Sequence, residues 1–313
     1  MILDAQATAA LLPYDGLTRA IESVLQDPLV QVPTRSVLPM VGGGRLLVMS
    51  AVGAHAAISK LITFVGDNPS RGLPTIQGDV LVFDPHSGQR LLILDGPTVT
   101  ARRTAAVSLV AAQRTGQWRQ GPMLIVGAGV QGRSHLEAFH VGLGITEFWI
   151  ASRSNGSADA LVSHARGMGL KAKRVDDPNA AMSACGIVVT ATSAHEVAMT
   201  NAPANGTFVS AVGAFTPQMA EWSRDACQAL SNTACLLVDT RDADHEGGDL
   251  IQAGLNVAAL PTLSDVVLGS PAWRVATDSA AHQSTRTVFF KSCGWAGWDL
   301  AAAQCALANR SVL

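Results

Sequence analysis

Four cations stand where apolar residues would be expected. Lys60 interrupts "AAISKLITFVG", Arg102 and Arg103 open the apolar run "TARRTAAVSLVAA", and Arg35 sits in "PTRSV". Taking an unpaired cation out of water is expensive, so each needs an anion or a route to solvent. A lysine that snorkels to the surface is the ordinary alternative for Lys60. Of two adjacent arginines on one helix, one can face water while the other faces a pocket. Convergence of Arg35, Lys60 and one of the two adjacent arginines would make a receptor for a small carboxylate. Spacing in the sequence does not show that they converge.

A second constellation is the glycine turn in "MLIVGAGVQGRSHLEAF", residues 123–139. Gly127, Gly129 and Gly132 give GxGxxG between an apolar run and a helical one. The first glycine permits the tight turn, the second lets backbone approach a pyrophosphate, and the third lets helix and strand pack closely. Alone the pattern is weak, and a glycine turn without a ligand is the alternative reading. About twenty residues on, where an NAD enzyme would place Asp or Glu, stands "IASRSNGS". Ser152, Arg153 and Ser154 can donate to a 2′-phosphate, and no acid lies within that stretch. NADPH is therefore expected in preference to NADH.

These residues need a scaffold. From residue 122 onward, "MLIVG", "EFWIAS", "KAKRV", "GIVVTAT", "GTFVSAVGA" and "CLLVDT" alternate with helical or turn segments such as "GRSHLEAFHVGLG" and "SADALVSHARGMG". Short apolar strands in this rhythm predict a parallel sheet covered on both faces. A Rossmann-type doubly wound domain is expected over residues 116–288. Residues 1–115 read instead as successive strands, "GRLLVMSAV", "AAISKLITFVG" and "DVLVFDPHSGQRLLILDG", the last a hairpin turned by "DPHSGQ". An Ala-rich helix over "TVTARRTAAVSLVAAQRTG" leads out of this α+β domain. A second one closes the chain, and residues 289–313 are expected to pack back on the first domain.

Composition narrows the function. The chain has 313 residues and a formal charge of −2 without a basic run, so nucleic acid is an unsuitable partner. Hydrophobic residues make up 48%, yet every apolar run is cut well before the ~20 residues of a spanning helix. The N-terminus carries Asp4 and no basic start, which makes a poor secretion signal. The five cysteines form no CxxC pair and lack histidines at ligand spacing. Buried thiols in a reducing, cytoplasmic compartment, with no metal, are expected.

Several of these segments occur in order in a known family. "SKLITF", "DVLVFDPHSGQRLLILDG", "TARRTAAVS", "VGAGVQGRSH", "ASRS", "VTATS", "AVGAFTP", "EGGDL" and "FFKSCGWAGWDLAAA" resemble the ornithine cyclodeaminase/mu-crystallin family from about residue 34 to 305. The resemblance implies a homodimer whose first domain, with the C-terminal helix, forms substrate pocket and subunit interface. It implies that Arg35, Lys60 and Arg103 bind the substrate carboxylate. Thr75, Val130, Gln131, Arg153, Thr190 and Val212 fall where members contact the dinucleotide, and Ser292 where the nicotinamide is approached. Two acids that hold the substrate amine in ornithine cyclodeaminases correspond here to Leu47 and Phe215. An apolar side chain cannot hold an ammonium, so cyclodeamination is not expected.

"LDGPTVTARRTAA" and "FKSCGWAGWDLAAA" resemble the ketimine reductase branch. It reduces Δ1-pyrroline-2-carboxylate to L-proline, within hydroxyproline breakdown, and Δ1-piperideine-2-carboxylate to L-pipecolate. Lys60, or less expectedly His55, would then be the candidate proton donor. An alanine dehydrogenase-like or N-alkyl amino acid forming enzyme, and a mu-crystallin-like ligand-binding protein, are the alternatives.

Overall fold

The computed structural model describes residues 1–116, 118–271, 273 and 286–312. The chain divides into two compact units, residues 1–107 with 295–313, and residues 108–294. The boundaries expected at 115/116 and 288/289 thus both move toward a larger second unit at the expense of the first. The first boundary falls within the helix Gly96–Thr115. The second moves because "TVFFK" is a strand of the parallel sheet, not a lead-in to the C-terminal helix.

In the first unit five strands form one antiparallel sheet in sequence order: β1 Ser36–Pro39, β2 Arg45–Val52, β3 Ala57–Phe64, β4 Ile76–Phe83 and β5 Arg90–Asp95. Side chains alternate between the faces. Met49, Lys60 and Val80 lie opposite one another on the inner face, flanked by the Ala51–Ile58–Val82 row. All six are buried. Against this side pack the helix Ala296–Ala308 and, against that helix, Tyr14–Gln26. The latter has buried Leu17, Ile21 and Val24 at helical spacing. The other face of the sheet carries Leu38, Val52 and Leu61, all exposed.

In the second unit seven parallel strands run in the order β11-β12-β10-β9-β6-β7-β8 among the described residues. They are β6 Met123–Val126, β7 Glu147–Ala151, β8 Lys171–Arg174, β9 Ile187–Thr190, β10 Phe208–Ala211, β11 Ala234–Val238 and β12 Thr287–Lys291. β6, β9 and β10 are buried at every position, as strands covered on both faces must be. Strand order reverses between β6 and β9, which opens a crevice at their carboxyl ends. The fold class is α/β with a Rossmann-type sheet, joined to an antiparallel α+β unit.

Candidate active site

β6 ends in the glycine turn, and the helix Val130–Leu143 leaves it. Gly127 has a φ of +112°, which L side chains rarely adopt. A Cβ on Gly132 would collide with the Gly127 carbonyl oxygen, so the helix approaches the turn this closely only because residue 132 is glycine. Gly129 is the N-cap; it offers no side-chain cap, and a Cβ there would meet nothing in the protein. The first helical amides are thus left to a ligand, with the positive end of the helix dipole behind them.

The adjoining cavity, about 410 Å³, is lined by Gly127, Gly129, Ser152, Arg153, Thr192 and Ser193 among others. Arg153 is exposed and donates from Nη2 to Ser193 Oγ at 2.9 Å. Ser154 caps the helix Asn155–Gly167 by accepting from the Ser157 amide. Two carboxylates, Asp176 and Glu196, also line the cavity. The strand-end reading missed them because they come from the loops after β8 and β9. The lining chemistry fits a dinucleotide: uncapped amides for the pyrophosphate, serines and an arginine for a ribose phosphate.

The other expected cofactor contacts are placed less directly. Val130 is exposed beside the turn, while the Gln131 carbonyl accepts from His135 Nδ1 at 2.7 Å. Thr190 lies outside the cavity lining, and its hydroxyl donates to Glu221 Oε2 at 2.9 Å and accepts from Trp222 Nε1. The residues after it, Ala191 to Ala194, face the cavity instead. Val212 is half-buried beyond β10, its amide bonded to the Thr190 carbonyl. Ser292 is buried and donates to Asp239 Oδ2 at 2.8 Å, the oxygen that also accepts the Cys293 and Gly294 amides. Its hydroxyl proton is engaged in holding a turn. Thr75 belongs to the first unit, where its carbonyl accepts from the Val65 amide.

Beneath the crevice lies a charged cluster that sequence reading did not find. Glu221 accepts from the Thr192 amide at 2.7 Å and the Gly213 amide at 2.8 Å. Asp249 accepts the Glu221 and Trp222 amides and pairs with Lys291 Nζ at 2.8 Å. All three side chains are fully buried. Burial pushes the Glu221 carboxyl up, and the facing carboxylates, led by Asp249, hold Lys291 above its usual range despite desolvation. The cluster fastens the ends of β9, β10 and β12.

In the first unit the structure brings together the expected cations. Lys60 Nζ lies 3.1 Å and Arg103 Nε 3.2 Å from the same atom, Asp299 Oδ1. Lys60 is 1%, Arg103 5% and Asp299 0% exposed. Asp299 Oδ2 has no hydrogen-bond partner among the described residues. Desolvation pushes the Lys60 ammonium down to about 8; Asp299 opposes this, while Arg103 and Arg35 add to it by repulsion. Arg35 therefore belongs to the same electrostatic neighbourhood. Arg102 turns away: it donates to the Leu12 carbonyl at 2.8 Å and covers the Tyr14 ring. His55 is exposed and lines a different cavity with Gln304 and Leu307. Those residues sit about 7–12 Å beyond Asp299 along the helix axis. Asp299 was missed because it reads as a first-turn acid of the apolar helix "AGWDLAAAQCALA". The five cysteines are buried and unpaired, and no metal-binding cluster occurs among the described residues.

No helix among the described residues is long and apolar enough to cross a membrane. Δ1-pyrroline-2-carboxylate reductase 2 of Burkholderia ambifaria is 33% identical over 307 residues, covering 97% of this chain and 94% of its own. Ketimine reductase mu-crystallin of Mus musculus is 33% identical over 283 residues, covering 89% and 85%. Among solved structures, Thermococcus litoralis Δ1-pyrroline-2-carboxylate reductase, in complex with NADH and L-proline, superposes with a TM-score of 0.85 at 21% identity, covering 100% and 98%. The sequence profile of the ornithine cyclodeaminase/mu-crystallin family matches residues 4–310. With relatives at a third identity across nearly its whole length, the chain belongs to the ornithine cyclodeaminase/mu-crystallin family.

Proposed function

We propose that this protein is an NADPH-dependent reductase of small cyclic ketimines bearing a 2-carboxylate, Δ1-pyrroline-2-carboxylate and Δ1-piperideine-2-carboxylate. One observation carries the reading. Two buried cations face one buried anion, so the cluster of Lys60, Arg103 and Asp299 holds an excess positive charge. An uncompensated buried charge is costly, and an anionic ligand removes the cost. Arg103 meets Asp299 through Nε, so among the described residues its terminal nitrogens are not consumed, and they can take a carboxylate as a fork. The full-length relative named for this reaction supports the same substrate class.

Arg103 and Lys60, with Arg35, hold the carboxylate and fix which face of the ring is presented. Bound NADPH supplies the hydride. A ketimine protonated on nitrogen is already a good electrophile, so the chain contributes chiefly orientation. Lys60, whose ammonium is pushed down to about 8, can also release a proton near neutral pH. Leu47 and Phe215 provide no carboxylate for a side-chain amine, which favours a ring without one. The uncapped helix of the glycine turn would hold the pyrophosphate, with Arg153, Ser152 and Ser193 at the ribose phosphate. The exposed apolar face of the five-stranded sheet supports a homodimer through the first unit.

The test follows NADPH absorbance with each ketimine ring, with NADH in place of NADPH, and with pyruvate plus ammonia or methylamine. Turnover of a cyclic ketimine is expected, with NADPH preferred. Failure with both rings overturns the reading, and turnover only with open-chain imines replaces it. Lys60→Ala and Arg103→Ala should each lower kcat/KM by about tenfold or more. Unchanged values in both refute the carboxylate clamp.

A further inference from the structure

We propose that Asp299 is a positioning residue for substrate capture, gathering Lys60 and Arg103 onto one oxygen so that both stay charged and converge on a common ligand. The proposal rests on the ketimine reading above. The three side chains come from separate elements: β3, the helix Gly96–Thr115 and the helix Ala296–Ala308. Their sequence separations, 239 residues for Lys60 and 196 for Arg103, leave Asp299 as the point where they meet.

Two buried cations this close repel each other. Left alone they would separate, or the lysine would lose its proton, because guanidinium does not. Either change destroys a two-pronged carboxylate receptor. Asp299 prevents both. A structural carboxylate in a core is normally satisfied by several amides, as Asp239 and Asp249 are here. Among the described residues Asp299 takes only Lys60 and Arg103, and its second oxygen has no donor. On the other sides of Lys60 the neighbouring strands present Met49 and Val80, which are apolar. The charged groups that face it are Asp299, Arg103 and Arg35. Asp299 is the anion among these described groups, so it governs the protonation of the lysine.

The test is Asp299→Asn in the full-length protein, which keeps the shape and removes the charge. Kinetics with NADPH and Δ1-pyrroline-2-carboxylate are measured from pH 6 to pH 9, with NADPH binding followed separately by fluorescence. The variant should bind NADPH normally and show a KM for the ketimine raised about tenfold or more at pH 8, with a smaller rise at pH 6. The basic limb of its kcat/KM profile should move to lower pH by about one unit or more. A wild-type KM and an unmoved profile overturn the proposal. Should Asp299→Asn fail to fold, Lys60→Arg decides: the wild type should lose kcat/KM above pH 8, and the arginine variant should keep a flat profile there. A wild type without that limb, or a variant that retains it, overturns the proposal equally. Wild-type protein inactive on both ketimines would instead defeat the reading on which it rests.

Discussion

Replacing Lys60 by methionine should stabilise the fold while removing the activity. At neutral pH the buried ammonium is charged in both folded and unfolded chains. Its depression from 10.5 to about 8 measures how much less favourable that charge is inside. At about 1.4 kcal/mol per pH unit, this amounts to about 3 kcal/mol of native-state cost. Methionine has a similar length and no charge, and Arg103 remains on Asp299 as its counter-ion. The expected gain near pH 7 is therefore on the order of 3 kcal/mol. Its sign follows from proton uptake. Below pH 8 both states hold the proton and the cost is present in full. Between about 8 and 10.5 the folded wild type sheds its proton while the unfolded chain keeps it, so wild-type stability rises with pH. The advantage of the variant should shrink across that window and vanish above it. Urea unfolding of both proteins at pH 7 and pH 10 measures the difference directly. A Lys60→Met protein less stable than wild type at pH 7, or an advantage independent of pH, would refute the reasoning.

Three further outcomes are expected. Gly132→Ala should force the helix Val130–Leu143 off the Gly127 carbonyl, costing about 1–3 kcal/mol; NADPH titration should show binding lost, and a variant that binds like wild type would contradict the close approach. Arg153→Ala should lower kcat/KM for NADPH by about tenfold or more and leave NADH nearly unchanged, since only the former has a phosphate for the guanidinium to meet; equal losses with both cofactors would place Arg153 elsewhere on the dinucleotide. Asp249→Asn should destabilise by about 3 kcal/mol, at the lower end for a broken buried pair because Glu221 still faces Lys291. Urea midpoints check this, and a change below about 1 kcal/mol would mean that Glu221 replaces Asp249 fully.

Much of the molecule was legible in the sequence where the signal is local. The apolar runs over β6, β9 and β10 read as buried strands because parallel strands covered on both faces need no polar alternation. Lys60 stood out because a charge breaks an apolar run, and Arg103 because it opens one. What escaped depends on distant partners. β12 lies between β10 and β11 although it follows both in the chain, an insertion that no local pattern encodes. Asp299 resembles an acid placed for a helix dipole until Lys60 and Arg103 are seen against it. The engagement of the Thr190 hydroxyl by Glu221 and Trp222, 31 and 32 residues away, is equally invisible to a local reading. β1 was not read because four exposed residues carry no periodicity.

The pairing of Lys60 with Met49 and Val80 has a consequence for how the sheet assembles. In most antiparallel sheets a strand that slips by one residue merely exchanges an apolar row for a polar one. Both faces of this sheet are rich in apolar residues, so hydrophobicity alone would penalise such a slip weakly. Here a slip of β3 would turn Leu61 toward Asp299 and carry Lys60 to the opposite face, leaving the carboxylate with Arg103 alone. The Lys60–Asp299 pair thus also proofreads the register, because a misaligned strand would leave the buried carboxylate with one cation in place of two.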